Sequence, residues 1–236
     1  MAEQRGKRGG RKQRLAQRAA KPVQDPCPPG QTGGLYKPLS DADLSRIYQT
    51  ALDLLEKLGV SEVPDRLLTD LLAIGAIDNG EGRVLFPPDL VKEAVDQAAK
   101  SFVLYGRDET RSIEVGGDAV YFGTGGAAVQ TLDMDNGLYR PSTLADLHDF
   151  TRLQDTLANV SWFTRCCVAT DVPDNFDLDV NTVFALLKNT TKPTATSFTL
   201  AEHVAPIVRM LDIVAGGPGE FSKRPFMKAH ISPMIS

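Results

Sequence analysis

From Val120 onward the chain repeats one unit three times and begins a fourth. Short β-rich runs start near Val120 (VYFGTGG), Val160 (VSWFTRCCVAT), Thr194 (TATSFT) and Phe226 (FMKAHIS), about 30 to 40 residues apart, with an amphipathic helical stretch in each gap. Strands that alternate with helices build right-handed crossover units around a parallel sheet. The last run reaches Ser236 with no helix behind it. A closed barrel of eight such units takes roughly 250 residues. The expected fold is therefore α/β: about the first four strands of a (βα)8 TIM barrel, in a sequence that reads as cut short, with its active site only partly in view.

Composition sets further bounds. The 236 residues, 42% of them apolar, suffice for a sizeable core in one large or two small domains. No apolar run reaches the roughly 18 residues of a membrane span, and the N-terminus lacks the apolar stretch of a secretory signal. A cytoplasmic protein with no membrane partner is expected. Cys27 stands alone and Cys166 adjoins Cys167, which suits neither a disulfide nor metal-ligand spacing; three buried thiols are expected.

Charge is placed unevenly. Eight Lys or Arg lie within residues 1–21 against one acid, Glu3, leaving 18 basic and 29 acidic residues in the body. Clustered cations release counterions from phosphate, yet this arm has no interleaved aromatics and no reading module, so a solvated, disordered tail without a nucleic-acid partner is expected. Residues 22–38 hold five Pro and three Gly and read as a linker. Order begins at Ser40, where Ser40-Asp41-Ala42-Asp43 makes a capping box ahead of Leu44, Ile47, Ala51, Leu54, Leu55 and Leu58 on one helical face. A second helix from Pro64 to Gly75, a strand at 83–86, a helix at 88–100 and a strand at 102–105 complete a small α/β cap, assigned to packing. The expected division is 1–38 for the disordered arm and linker, 39–110 for the cap and 111–236 for the first part of the barrel.

Between Arg111 and Pro141 the texture is that of hairpins, with Gly116-Gly117-Asp118 turning one pair of strands and Asp135-Asn136-Gly137 another. Helices then follow at Thr143–Leu157, behind a second capping box, at Asp179–Lys188 and at Glu202–Ala215.

Gly123-Thr124-Gly125-Gly126-Ala127-Ala128 fits the G-x-G-x-x-A dinucleotide pattern, but Val129 to Asp133 alternates like a strand where that motif needs a helix. The glycines read instead as a bend at the C-terminal end of the first barrel strand. Ligands approach this fold at the C-terminal strand ends. That rule selects Tyr121, Phe122, Gly123 and Thr124 on the first strand, Arg165 and Thr170 after the second, Ser197 and Thr199 after the third, and His230 and Ser232 after the fourth. His230 is the best single candidate, since Phe226, Lys228, His230 and Ser232 share one face of an alternating strand. Each has a plainer reading: Arg165 pairing with a barrel carboxylate, the hydroxyls capping helices, His230 satisfied in a core. His148 and His203 fall on helices and are expected at the surface, and no His pair has zinc spacing. Trp162, Phe163, Tyr121, Phe122 and Phe198 suit core packing or a mouth that holds a quaternary ammonium by cation–π attraction.

The segments ALDLLEKLGV (51–60), SFVLYGRD (101–108), VYFGTGGAAVQTLDMDNGLYRPSTLADLHDFTRL (120–153), LLKNTTKP (186–193) and HISPMIS (230–236) give the run from Leu39 to Ser236 its likeness. It resembles the trimethylamine methyltransferase family, the corrinoid-dependent methyltransferases of methylated and quaternary amines. The likeness covers nearly the whole chain but only about half of a family member. It implies methyl transfer from a small N-methyl amine to the Co(I) of a separate corrinoid protein docked over the barrel mouth. In that case no cofactor is bound directly, and the corrinoid (cobalamin) is carried by the partner. Some members activate trimethylamine with pyrrolysine at a position beyond this sequence, so no catalytic residue is carried over, and trimethylamine, glycine betaine and carnitine stay open as substrates. The unpaired edge of the last strand points to a homo-oligomer. Two alternatives stand: a non-catalytic or interaction fragment, and a barrel lyase on an anionic substrate, with His230 and Arg165 converging on a phosphate.

Overall fold

The computed structural model describes Asp25 and residues 27–230; the basic arm at 1–21 and Ser232 lie outside the described residues. The Pro/Gly segment, expected as a linker, carries the first strand, β1 (Gln31–Thr32), which pairs antiparallel with Ala119 and Val120. Gly30 N–H donates to Val120 O and Gly33 N–H to Asp118 O. The prolines withhold donors, but the residues between them supply enough to dock an edge.

The cap follows. α1 (Asp41–Lys57) starts at the expected capping box: Asp43 N–H donates to Ser40 Oγ and Ser40 N–H to Asp43 Oδ2. It stops at Gly59, whose φ is 62° and where a Cβ would stand 2.0 Å from Val84 O, so only glycine fits. β2 (Val60–Ser61), α2 (Asp65–Ala73), β3 (Ile77–Asp78), β4 (Arg83–Leu85) and α3 (Pro88–Gln97) come next, with β4 central in a three-stranded antiparallel sheet. The leucine stripe expected to bury α1 does not do so. Leu44, Ile47, Leu54 and Leu58 are exposed, and Leu52, Ala76 and Val84 are the buried residues here. α1 packs mainly on α3 and the short β4, a surface too small to cover the stripe.

β5 (Ser101–Leu104) and β6 (Ile113–Gly116) form an antiparallel pair, Leu104 opposite Ile113. The Gly116-Gly117-Asp118 turn therefore does not pair its own flanks: β6 is taken by β5, and β7 (Ala119–Val120) by β1. The run expected as one strand from Val120 is split at Tyr121, and β8 (Phe122–Gly123) alone enters the main sheet. The second turn pairs β9 (Gln130–Leu132) with β10 (Tyr139–Pro141) as expected, with Gly137 at φ 72°.

The alternating region then unfolds as read: α4 (Leu144–Thr156), β11 (Val160–Thr164), α5 (Asn175–Asn189), β12 (Thr194–Thr196), a 3-10 turn (Ala201–His203), α6 (Val204–Ala215), the short α7 (Glu220–Lys223) and β13 (Met227–Ala229). The four parallel strands lie in the order β13-β12-β11-β8, so neighbours in the sheet are successive along the chain. The result is a mixed α/β molecule with a parallel sheet. Leu147, Phe163, Val183, Leu186, Ile207, Leu211 and Met227 form the core between the sheet and its helices. Each such side chain contributes about 1.5–3 kcal/mol by leaving water. Phe226 joins this core beside Phe221 and does not share the face of Lys228.

Candidate functional site

The parallel strands end together on one rim. Thr124 follows β8, Arg165 follows β11, Ser197 follows β12 and His230 follows β13. Thr124 Oγ1 donates to Thr164 O at 2.7 Å and accepts Thr164 N–H at 2.9 Å, which clamps β8 to β11. A Cβ on Gly126 would lie 1.9 Å from Arg165 O, and Ala128 N–H donates to Cys166 O, so the glycine run continues alongside the end of β11 and leads into β9. No helix follows it to hold a pyrophosphate.

Arg165 is half-buried and Nη2 donates to Ser197 Oγ at 3.1 Å. Burial pulls its pKa down, and the nearby charge of Asp179 opposes this. Asp179 is buried; its Oδ2 accepts Thr199 N–H (2.8 Å), Thr199 Oγ1–H (2.7 Å) and His203 Nδ1–H (2.7 Å). The Phe176 ring stands edge-on to His203 at 5.2 Å. His203, expected at the surface, is therefore a buried partner, because the 3-10 turn tucks its ring under the start of α5. His148 is likewise half-buried, accepting Asn189 Nδ2–H at 2.7 Å, and burial, then Lys188 and Arg152, lower its pKa. Of the three cysteines only Cys167 is buried, while Cys27 and Cys166 are partly exposed.

The sheet face opposite the helices carries a second arrangement. The Trp162 ring lies against Gly123, where a Cβ would come 2.0 Å from the indole. Lys228 Nζ sits over the same ring, 4.6 Å from its centroid. The contact spans β12, where Ala195, the register partner of Lys228, is small and fully buried. His230 is exposed beyond Lys228, its N–H bonded to Thr196 O at 2.8 Å; partial desolvation first, and Lys228 second, lower its pKa.

Of the residues picked from sequence, Gly123, Thr124, Arg165, Ser197 and His230 thus meet on the strand ends and Phe122 is exposed on β8. Tyr121 lies apart, in a cleft with Thr110, Arg111, Asp155, Val160 and Lys192 at the N-terminal ends of β11 and β12. Thr170 is turned to the backbone of Ser142. The strand-end rule does not reach Lys228, Asp179 or His203. Asp179 had a signal, since it shares the apolar face of α5 with Val183 and Leu186, where a charge needs a buried partner.

Residues 7–235 match the family model described as trimethylamine methyltransferase (MTTB). Trimethylamine methyltransferase MttB of Desulfitobacterium hafniense (strain DSM 10664 / DCB-2) is 27% identical over 195 residues, 82% of this chain and 39% of that protein. Glycine betaine methyltransferase of Desulfitobacterium hafniense (strain Y51) is 23% identical over 206 residues, 87% of this chain and 42% of that protein. Trimethylamine methyltransferase MttB1 of Methanosarcina mazei is 27% identical over 154 residues, 64% of this chain and 31% of that protein. The chain spans at most 42% of the length of these relatives. With a match that runs through cap, rim and sheet alike, the chain belongs to the trimethylamine methyltransferase family.

Proposed function

We propose that the chain supplies the first four strands of a (βα)8 barrel, behind a cap at residues 39–110, in an enzyme that moves a methyl group from trimethylamine or a related quaternary amine to the Co(I) of a corrinoid protein. The family match and the consecutive order of β8, β11, β12 and β13 support it. The corrinoid is the methyl acceptor, a co-substrate held by the partner, and no cofactor is bound directly. In the displacement the C–N electron pair stays on nitrogen, so a quaternary ammonium leaves as a neutral amine without a general acid.

What remains for this chain is positioning. The observation that supports the reading is the Lys228 ammonium over the Trp162 ring, a cation seated on an indole at the sheet face opposite the helices. A desolvated cation–π contact of this kind is worth on the order of 2 kcal/mol. Gly123 lies against the ring, His230 follows Lys228 along β13, and Thr124, Arg165 and Ser197 stand at the C-terminal ends of the neighbouring strands. A homo-oligomer belongs to the same reading, supported by the exposed leucines of α1. So does a cytoplasmic location, in keeping with the absence, among the described residues, of a helix long and apolar enough to cross a membrane.

Incubating the complete enzyme of which these residues are a part with trimethylamine or glycine betaine and a reduced corrinoid protein, and following corrinoid methylation by absorbance, tests the proposal. Trp162→Ala is expected to lower kcat/KM about tenfold or more. Exposed Phe102→Ala in the cap leaves it unchanged. Absence of methyl transfer from any methylated amine would contradict the reading.

A further inference from the structure

The open sheet face holds positive charge where, on the methyl-transfer reading, a cationic substrate is to sit. Lys228 Nζ lies over Trp162, and Arg165 occupies the rim beside Ser197. Among the described residues neither is in an ion pair. The carboxylate whose charge reaches Arg165 is Asp179, and its Oδ2 is already engaged by Thr199 and His203.

An ammonium ligand that takes the Trp162 ring must displace Lys228 from it. A simple methylated ammonium then leaves two cations side by side on a half-buried face that already carries Arg165, and their repulsion opposes binding. A methylated amine that also bears a carboxylate reverses the sign. Its ammonium replaces Lys228 on the indole, and the displaced Nζ, on its flexible four-carbon stem, meets the carboxylate. One side chain thus attracts one ligand class and repels the other, the usual way a site becomes specific. We propose that Lys228 is a specificity residue that selects methylated amines carrying a carboxylate, zwitterions of the betaine type, over simple methylated ammonium ions. This rests on the methyl-transfer reading and narrows its substrate.

Trp162 is the single tryptophan of the chain, so intrinsic fluorescence reports on this position alone. The 236-residue chain is titrated with glycine betaine, with tetramethylammonium and with acetate. Glycine betaine is expected to bind about tenfold or more tighter than tetramethylammonium. Lys228→Gln should bring the two within about twofold, largely by improving tetramethylammonium, and Lys228→Arg should restore the preference. Far-UV circular dichroism checks the fold of each variant, and Lys228→Met, which keeps the apolar stem, replaces Lys228→Gln if the latter does not fold. Equal binding of the two ammonium ligands, or a preference that survives loss of the Lys228 charge, overturns the assignment of Lys228 and leaves the methyl-transfer reading standing. Binding of acetate as tight as that of glycine betaine, or no binding of either ammonium ligand, overturns the seat of the ammonium at Trp162 and with it the assignment of Lys228.

Discussion

The cap and the alternating βα region both carry amphipathic helices, yet the second buries more of each stripe. Leu153 and Phe184 are exposed there, but Leu147, Val183, Leu186, Ile207 and Leu211 are covered, against Leu52 alone on α1. In α1 and α2, Leu44, Ile47, Leu54, Leu58, Leu67 and Leu72 are between 41% and 55% exposed, whereas Val183 and Leu186 on α5 are fully covered. The periodicity is equally regular in both regions. The difference lies in what each stripe faces. α5 rests on the parallel sheet and against α4, while the cap helices meet strands of two or three residues. A hydrophobic stripe says which face seeks burial, and a broad sheet decides whether burial is achieved.

The largest expected effect is in the covered region. Phe163→Ala, at the centre of the core, should cost about 3–5 kcal/mol in urea unfolding. A loss as small as that of a surface residue would break the contrast. Asp179→Ala should cost about 1–3 kcal/mol, because Thr199 and His203 lose their acceptor; adding Thr199→Val should cost less than the sum of the two changes, since both act on one cluster.

Acid sharpens the same contrast. Arg140 first, and Thr143 after it, hold the Asp146 carboxyl well below the usual carboxylate range at the start of α4. A carboxyl whose folded pKa is depressed adds stability in full above its unfolded value near 4, and that stability drains away as pH falls further. Asp146→Asn should therefore flatten the pH dependence of unfolding below about pH 4 and leave the slope at neutral pH unchanged. The smallest effect belongs to the cap, where Leu54→Ala should cost under about 1 kcal/mol. A cost near that of Phe163→Ala would mean that the stripe is covered in solution, and sedimentation would then show a larger particle.

Local signals carried much of this architecture. Both capping boxes, at Ser40 and Thr143, the Asp135-Asn136-Gly137 turn and the three helices between the parallel strands were legible, since each depends on residues within one or two turns of chain. What was not legible depends on distant partners. The split at Tyr121, the docking of Gln31 and Thr32, and the pairing of β6 with β5 are choices among competing edges, which no local pattern ranks. The rim residues Arg165, Ser197 and His230 followed from the strand-end rule. His203 did not, because its burial comes from Asp179, 24 residues away. Lys228 stood on the alternating strand beside His230, but its seat over Trp162 needs the sheet order.

On the methyl-transfer reading the methyl donor sits at Trp162, on the face of the parallel sheet opposite the helices. A crystal structure of the protein with glycine betaine bound measures this directly. The account predicts the quaternary nitrogen within about 6 Å of the Trp162 ring centroid, with Lys228 moved off the indole. A ligand bound in the cleft beside Tyr121 and Lys192, with Lys228 still over Trp162, would contradict it.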